Sequence, residues 1–147
     1  MLNDKATTLK EEVLSVLTEA YPEETEHLLE ILGCEGVEVA REPAPALVMM
    51  DARDCFGTRF HLGEVLVTTA GVRRDGRAGQ GAILGDESAK ALLLACLDLL
   101  DPAGQAAARE RLAPHLARLA RRAEAVRGLE ARMSGSTRVE FQSMAGE

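Results

Sequence analysis

The sequence predicts an α+β fold, a small, mostly antiparallel sheet flanked by N-terminal helices and a long C-terminal helical arm. Three observations predict it. Residues 1–36 are rich in Leu and Glu at helical spacing, residues 37–84 shift to Val, Gly and Pro with turn chemistry at intervals, and residues 85–133 return to a helical, Ala- and Arg-rich pattern. A tail over 134–147 follows. At 147 residues and 46% hydrophobic content, the whole reads as a single domain able to bury a core.

The elements follow in order. Thr8-Leu9-Lys10-Glu11 has the form of a capping box, with a hydroxyl for free backbone N–H groups and a carboxylate reaching back. Leu9, Val13, Val16, Leu17 and Ala20 then recur at helical spacing. Pro22 suits the first position of a second helix over 22–32, which buries Leu28, Leu29, Ile31 and Leu32 in part and ends at Gly33 as its C-terminal cap. Five strands are expected, over 37–40, 46–52, 59–62, 65–72 and 78–84, with Pro43 and Pro45 separating the first two. Asp54-Cys55-Phe56-Gly57 and Arg74-Asp75-Gly76 supply the turns that close hairpins. Asp86 is placed to cap the next helix, whose buried face holds Leu92, Leu93, Cys96, Leu97 and Leu100. Asp101-Pro102 repeats a cap-then-proline start for a long helix to about residue 133, with Pro114 expected to kink or break it. Within it Leu112, Leu116, Leu119, Ala123, Val126 and Met133 form a narrow apolar seam suited to packing along another helix. Ser134-Gly135-Ser136 reads as a flexible joint, and 137–141 as a short strand or extended docking segment.

Composition removes several functions. The net charge of −7 argues against a surface devoted to nucleic acid, which needs a net supply of Lys and Arg. Three Phe, one Tyr and no Trp leave little material for base stacking or aromatic cages. The longest apolar run, 91–97, is far short of the roughly 18 residues of a membrane span, and the polar, acidic start is unlike a signal or transit peptide. Cys34, Cys55 and Cys96 are odd in number and far apart, which fits neither a disulfide framework nor a CxxC motif and points to a reducing cytoplasm, each thiol reading as a small hydrophobe. The charge is also uneven: residues 1–40 carry −8, residues 41–102 carry −2 and residues 103–147 carry +3. An acidic head and a basic arm invite pairing, within the fold or with a partner.

No autonomous catalytic constellation is visible. The chain contains neither a GxxxxGK[ST] loop nor a strand-to-helix GxGxxG. His27, His61 and His115 lack metal-ligand spacing, and Ser88, Ser134, Ser136 and Ser143 sit in no nucleophile elbow. A weak anion site is conceivable where Gly85 leads into a helix, although Asp86 and Glu87 already occupy that positive end.

Phe60-His61-Leu62-Gly63-Glu64-Val65-Leu66-Val67-Thr68, then Val72 and Gly76, then Leu84-Gly85-Asp86 with Ala89, and finally Thr137-Arg138-Val139-Glu140-Phe141 with Met144 resemble the PhnG family, subunits of the bacterial carbon–phosphorus lyase system that degrades phosphonates. The resemblance runs through nearly the whole chain. It implies a cytoplasmic subunit assembled with a PhnI-like chain and with PhnH, PhnJ and PhnL. It further implies support for a transferase reaction in which a phosphonate displaces adenine from ATP, giving a ribose 1-phosphonate 5-triphosphate. No cofactor is expected on this chain alone; ATP and a phosphonate are substrates of the implied complex. Within that reading Arg118, Arg121, Arg122, Arg138, Glu140 and Phe141 are the expected partner interface, and His61, Glu64, Gly85 and Asp86 are the residues nearest any ligand. The competing expectation is a non-enzymatic regulatory or small-molecule module that homodimerises through the 112–133 seam.

Overall fold

The structure, a computed structural model, describes residues 8–137. Its elements are α1 (Leu9–Leu17), α2 (Pro22–Leu32), β1 (Glu38–Arg53), β2 (Arg59–Arg74), β3 (Arg77–Leu84), α3 (Ser88–Asp98) and α4 (Pro102–Ser136). The fold class is α+β, as the patterning predicts.

The caps form as their chemistry dictates. The Glu11 backbone N–H donates to Thr8 Oγ1 at 3.3 Å while the Thr8 N–H donates to Glu11 Oε2 at 2.8 Å, completing the capping box. Gly33 closes α2 at φ 69°, a conformation with no Cβ penalty for glycine. Asp101 Oδ1 accepts from the Gly104 N–H at 2.7 Å at the head of α4. Asp75 and Gly76 both have positive φ, at 49° and 77°, the geometry a two-residue hairpin needs between β2 and β3.

Three antiparallel strands in the order β1-β2-β3 replace the five expected. Pro43 and Pro45 do not divide β1, because β1 is an edge strand, where a missing N–H need not break a ladder; the irregularity appears instead as a register shift between Arg41 and Ala44. Segments 59–62 and 65–72 merge into β2, with a further register shift between Met50 and Asp51, next to Gly63 at φ 141°. Asp86 is not the helix cap. The cap position is Glu87, which makes no side-chain cap hydrogen bond; its own N–H donates to Thr68 Oγ1 at 2.9 Å, so a hydroxyl of β2 anchors the start of α3 to the sheet.

One face of the sheet packs on α3, and α1 and α2 pack against both α3 and α4. Sandwiched in this way, α3 buries Lys90, Ala91 and every residue from Leu93 to Leu97, more than the single face expected. Two glycines set the distance. A Cβ on Gly81 would lie 1.9 Å from the Ala91 carbonyl oxygen, and one on Gly79 would lie 2.2 Å from that of Ala95, so α3 rests directly on the backbone of β3. At the other end of α3, the Asp98 carboxylate accepts from Lys10 Nζ and from the Gln80 N–H, both at 2.9 Å, while Lys10 Nζ also donates to the Gln80 carbonyl at 2.7 Å. Burial works against the Asp98 charge, but the Gln80 N–H and Lys10 outweigh it and hold the carboxyl below its ordinary range. The same contacts occupy the backbone N–H and carbonyl of Gln80 and block the middle of the β3 edge.

Helix α4 runs through Pro114 without a break and through Ser134-Gly135-Ser136, where a joint was expected; the structure shows a helix ending at Ser136 with Thr137 as its C-cap. Pro114 is exposed, so its ring and the carbonyl it frees face water. The apolar seam is buried at Ala108, Leu112, Leu119 and Ala123, but Leu129 and Met133 are exposed because α4 outruns the helices it packs on. Of the tail expected to be extended over 137–141, all but Thr137 lies outside the described residues.

Candidate partner interface

The register locates an unusual surface. Along β2 and β3 the pairs Thr68–Ile83, Ala70–Gly81 and Val72–Gly79 face α3, and the contacts of Gly79 with Ala95 and of Gly81 with Ala91 fix the direction in which α3 runs. The N-terminus of α3 therefore lies near Ile83, and the distal halves of β1 and β2 continue past it as a two-stranded ribbon of about eight residues per strand, roughly 25 Å long. The ribbon turns at Asp54, whose Oδ1 accepts from the Phe56 and Thr58 N–H groups at 2.9 and 2.8 Å.

This ribbon carries apolar side chains on both faces, giving way toward its tip to the Asp51–His61 and Arg53–Arg59 pairs. On the face continuous with α3 lie Leu47 opposite Leu66 and Met49 opposite Glu64; on the other lie Val48 opposite Val65, Met50 opposite Gly63 and Ala52 opposite Phe60. Leu47 is 62% exposed, Val48 48%, Met49 51% and Met50 41%. An antiparallel strand with one wetted face normally alternates apolar and polar residues, and β1 does not do so from Ala46 to Met50. The Lys10–Asp98 clamp blocks the β3 edge, whereas β1 carries the opposite edge of the sheet, guarded by Pro43 and Pro45 near its start.

The residues expected near a ligand fall along this arm. His61 Nδ1 pairs with Asp51 Oδ1 across the strands, and Arg59 Nε donates to Asp51 Oδ2 at 2.8 Å, so one carboxylate gathers both side chains near the tip. Glu64 is exposed opposite Met49. Gly85 sits at the root, its N–H donating to the Leu66 carbonyl at 2.9 Å and its own carbonyl accepting from Thr68 Oγ1 at 2.6 Å, with Asp86 exposed beside it. Five residues along β2 separate His61 from Leu66, about 15 Å, so the four residues mark two ends of one arm and not one pocket.

The basic arm is partly used inside the fold. Arg118 and Arg122 both bind Glu24, Arg122 also donates to the Glu19 carbonyl and lies over the Tyr21 ring at 4.5 Å, and Arg109 pairs with Glu12 at 2.9 Å. The Arg122 hydrogen bond, followed by the Tyr21 backbone N–H, holds the Glu24 carboxyl below its ordinary value despite its desolvation. The charge asymmetry of the sequence thus resolves in part as head-to-arm pairing, and charge reversal at Arg118 or Arg122 would disturb the fold as well as a docking face. Arg121 is exposed; Arg138, Glu140 and Phe141 lie outside the described residues.

Concave surface is modest. A cavity of about 460 Å³ opens between α1 and β3, lined by Leu14, Thr18, Ile83, Leu84, Glu87 and Lys90, and its buried Lys90 is neutralised by Glu87 at 3.0 Å. Among the described residues no group of three or more His, Cys, Asp or Glu side chains is arranged to hold a metal ion, and no helix is long and apolar enough to cross a membrane.

A family model described as phosphonate metabolism protein PhnG matches residues 9–146 of the 147. The chain belongs to the PhnG family. Comparison with curated proteins finds no match. The PhnG match spans every described element, so the ribbon belongs to the family domain and is not an appendage to it. Sequence reasoning overlooked this PhnG surface, although a signal was present: Ala46-Leu47-Val48-Met49-Met50 is an unbroken apolar run in a strand that prolines mark as an edge.

Proposed function

We propose that this PhnG-family chain is an accessory, structural subunit of the carbon–phosphorus lyase core and that the β1–β2 ribbon is the surface through which it docks. With a PhnI-like subunit, and alongside PhnH, PhnJ and PhnL, it supports displacement of adenine from ATP by a phosphonate to give ribose 1-phosphonate 5-triphosphate. Its contribution is surface and position; ATP and the phosphonate are substrates of the assembly. The observation that carries the reading is the ribbon with apolar side chains on both faces, projecting past α3. A two-stranded ribbon alone is marginal in water, so packing against a neighbour is what would stabilise it. The alternative, a homodimer through the α4 seam, has less to work with, because Leu112, Leu119 and Ala123 are already buried within the fold.

Co-expression with a PhnI-like chain tests this. The unmodified protein should copurify with it, and the pair Val48→Lys with Val65→Glu, which places opposite charges across the strands, should abolish copurification. The isolated double variant should remain folded, with a single cooperative urea transition, because Val48 is exposed and the new charge at half-buried Val65 pairs with it across the strands. Retained copurification, or a homodimer that ignores the PhnI-like chain, would reject the proposal.

A further inference from the structure

The fold brings together two cysteines that lie 62 positions apart in sequence: Cys34, just past the α2 cap, and Cys96, inside α3, with their sulfurs 3.4 Å apart. Cys96 is buried, Cys34 is half-buried in the loop leading to β1, and both are free thiols. Disulfide bonding requires a separation near 2.05 Å, so closure of little more than 1 Å is needed, and Cys34 stands on a loop and not on a helix. Beside Cys34, a Cβ on Gly36 would lie 3.9 Å from Arg74 Cδ, which puts a guanidinium stem over the same loop.

We propose that Cys34 and Cys96 form a reversible dithiol site that takes a low-molecular-weight disulfide, such as glutathione disulfide, as its oxidant. Cys34 is the attacking thiol and Cys96 the resolving one. The hydrogen bond from Cys96 and the positive charge of Arg74 favour the Cys34 thiolate and bring it from the ordinary 9.0 to about 7, against the opposing effect of burial. The hydrogen bond to Cys34, burial and the Cys34 negative charge push Cys96 upward, so it keeps its proton until it resolves. In the first step the Cys34 thiolate attacks one sulfur of the glutathione disulfide; a protein–glutathione bond forms, the oxidant's S–S bond breaks, and one glutathione thiolate leaves and is protonated. In the second, Cys96 gives its proton to solvent and attacks Cys34 Sγ, expelling the second glutathione. The protein dithiol is oxidised by two electrons, and one disulfide is reduced to two thiols. The new bond ties the loop at the root of β1 to α3, the helix beneath the sheet.

The test uses the full-length chain carrying Cys55→Ser, which removes the exposed thiol at the ribbon turn. Excess glutathione disulfide should lower its intact mass by two hydrogens, leave no free thiol, and yield a Cys34–Cys96 cross-linked peptide that dithiothreitol reverses. Adding Cys96→Ala should instead trap one glutathione on Cys34. Retention of both thiols, a persistent glutathione adduct in the Cys55→Ser chain, or a folded Cys96→Ala chain that takes up no glutathione would each overturn the proposal.

Discussion

Single residues decide much of this fold, and glycine does so twice over. Gly81→Ala would place a methyl carbon against the Ala91 carbonyl, a backbone atom that cannot rotate away. The expected result is a loss of about 3 kcal/mol, read as a lower urea midpoint at unchanged slope. Gly128→Ala, in the same protein but with nothing within 4 Å of the added carbon, should stabilise α4 by about 0.5–1 kcal/mol. Glu24 provides a pH-dependent counterpart. Its folded pKa lies below the ordinary 4.5, so its stabilising contribution is fully present above that unfolded value and is lost as pH falls through the folded one. Glu24→Gln should therefore lower the melting temperature at neutral pH, and the difference from the unmodified chain should vanish once the carboxyl is protonated; a gap that persists in acid would remove the Arg122 pairing as its cause. Thr8, Gly33 and Asp101 were legible in the sequence because a cap acts on neighbours a few positions away. The Glu24 pairing spans 98 positions, and local pattern could announce only that an acidic head and a basic arm were available.

Elements were legible in kind and less so in extent. The second helix occupies the expected 22–32, because proline at its start and glycine at its end are local signals. The first two expected strands were read apart because proline normally interrupts a ladder, and whether it does depends on which strand lies at the edge, a property of the assembled sheet. Helix α4 divides at about Ala123, and the two parts should respond differently to mutation. Leu119→Ala, at the buried contact with the N-terminal helices, should cost about 2–5 kcal/mol, whereas Met133→Ala should leave the urea midpoint within about 0.5 kcal/mol of the unmodified chain. Equal effects at the two positions would mean that the end of α4 packs as tightly as its middle.

At the scale of the whole molecule, a helical layer holds one half of a sheet and leaves the other half as an apolar arm. That arrangement makes the protein read as a part built to be completed by a neighbour. His61 and Glu64 drew attention through a family motif, and the structure sets both on the arm, but the apolar pairs between them and the sheet became visible only when register assigned each side chain to a face. By itself the sequence determined the class, the caps at Thr8, Gly33 and Asp101, the hairpin turns and membership of the PhnG family, since each is written in residues close together or in a pattern spread along the chain. Only the tertiary structure decided that α3 seats on Gly79 and Gly81, that Cys34 meets Cys96, that arginines of α4 answer the acidic head, and that the ribbon stands clear of the core. Those outcomes depend on which surfaces bury one another across long stretches of chain, and burial is a property of the packed whole that no local window contains.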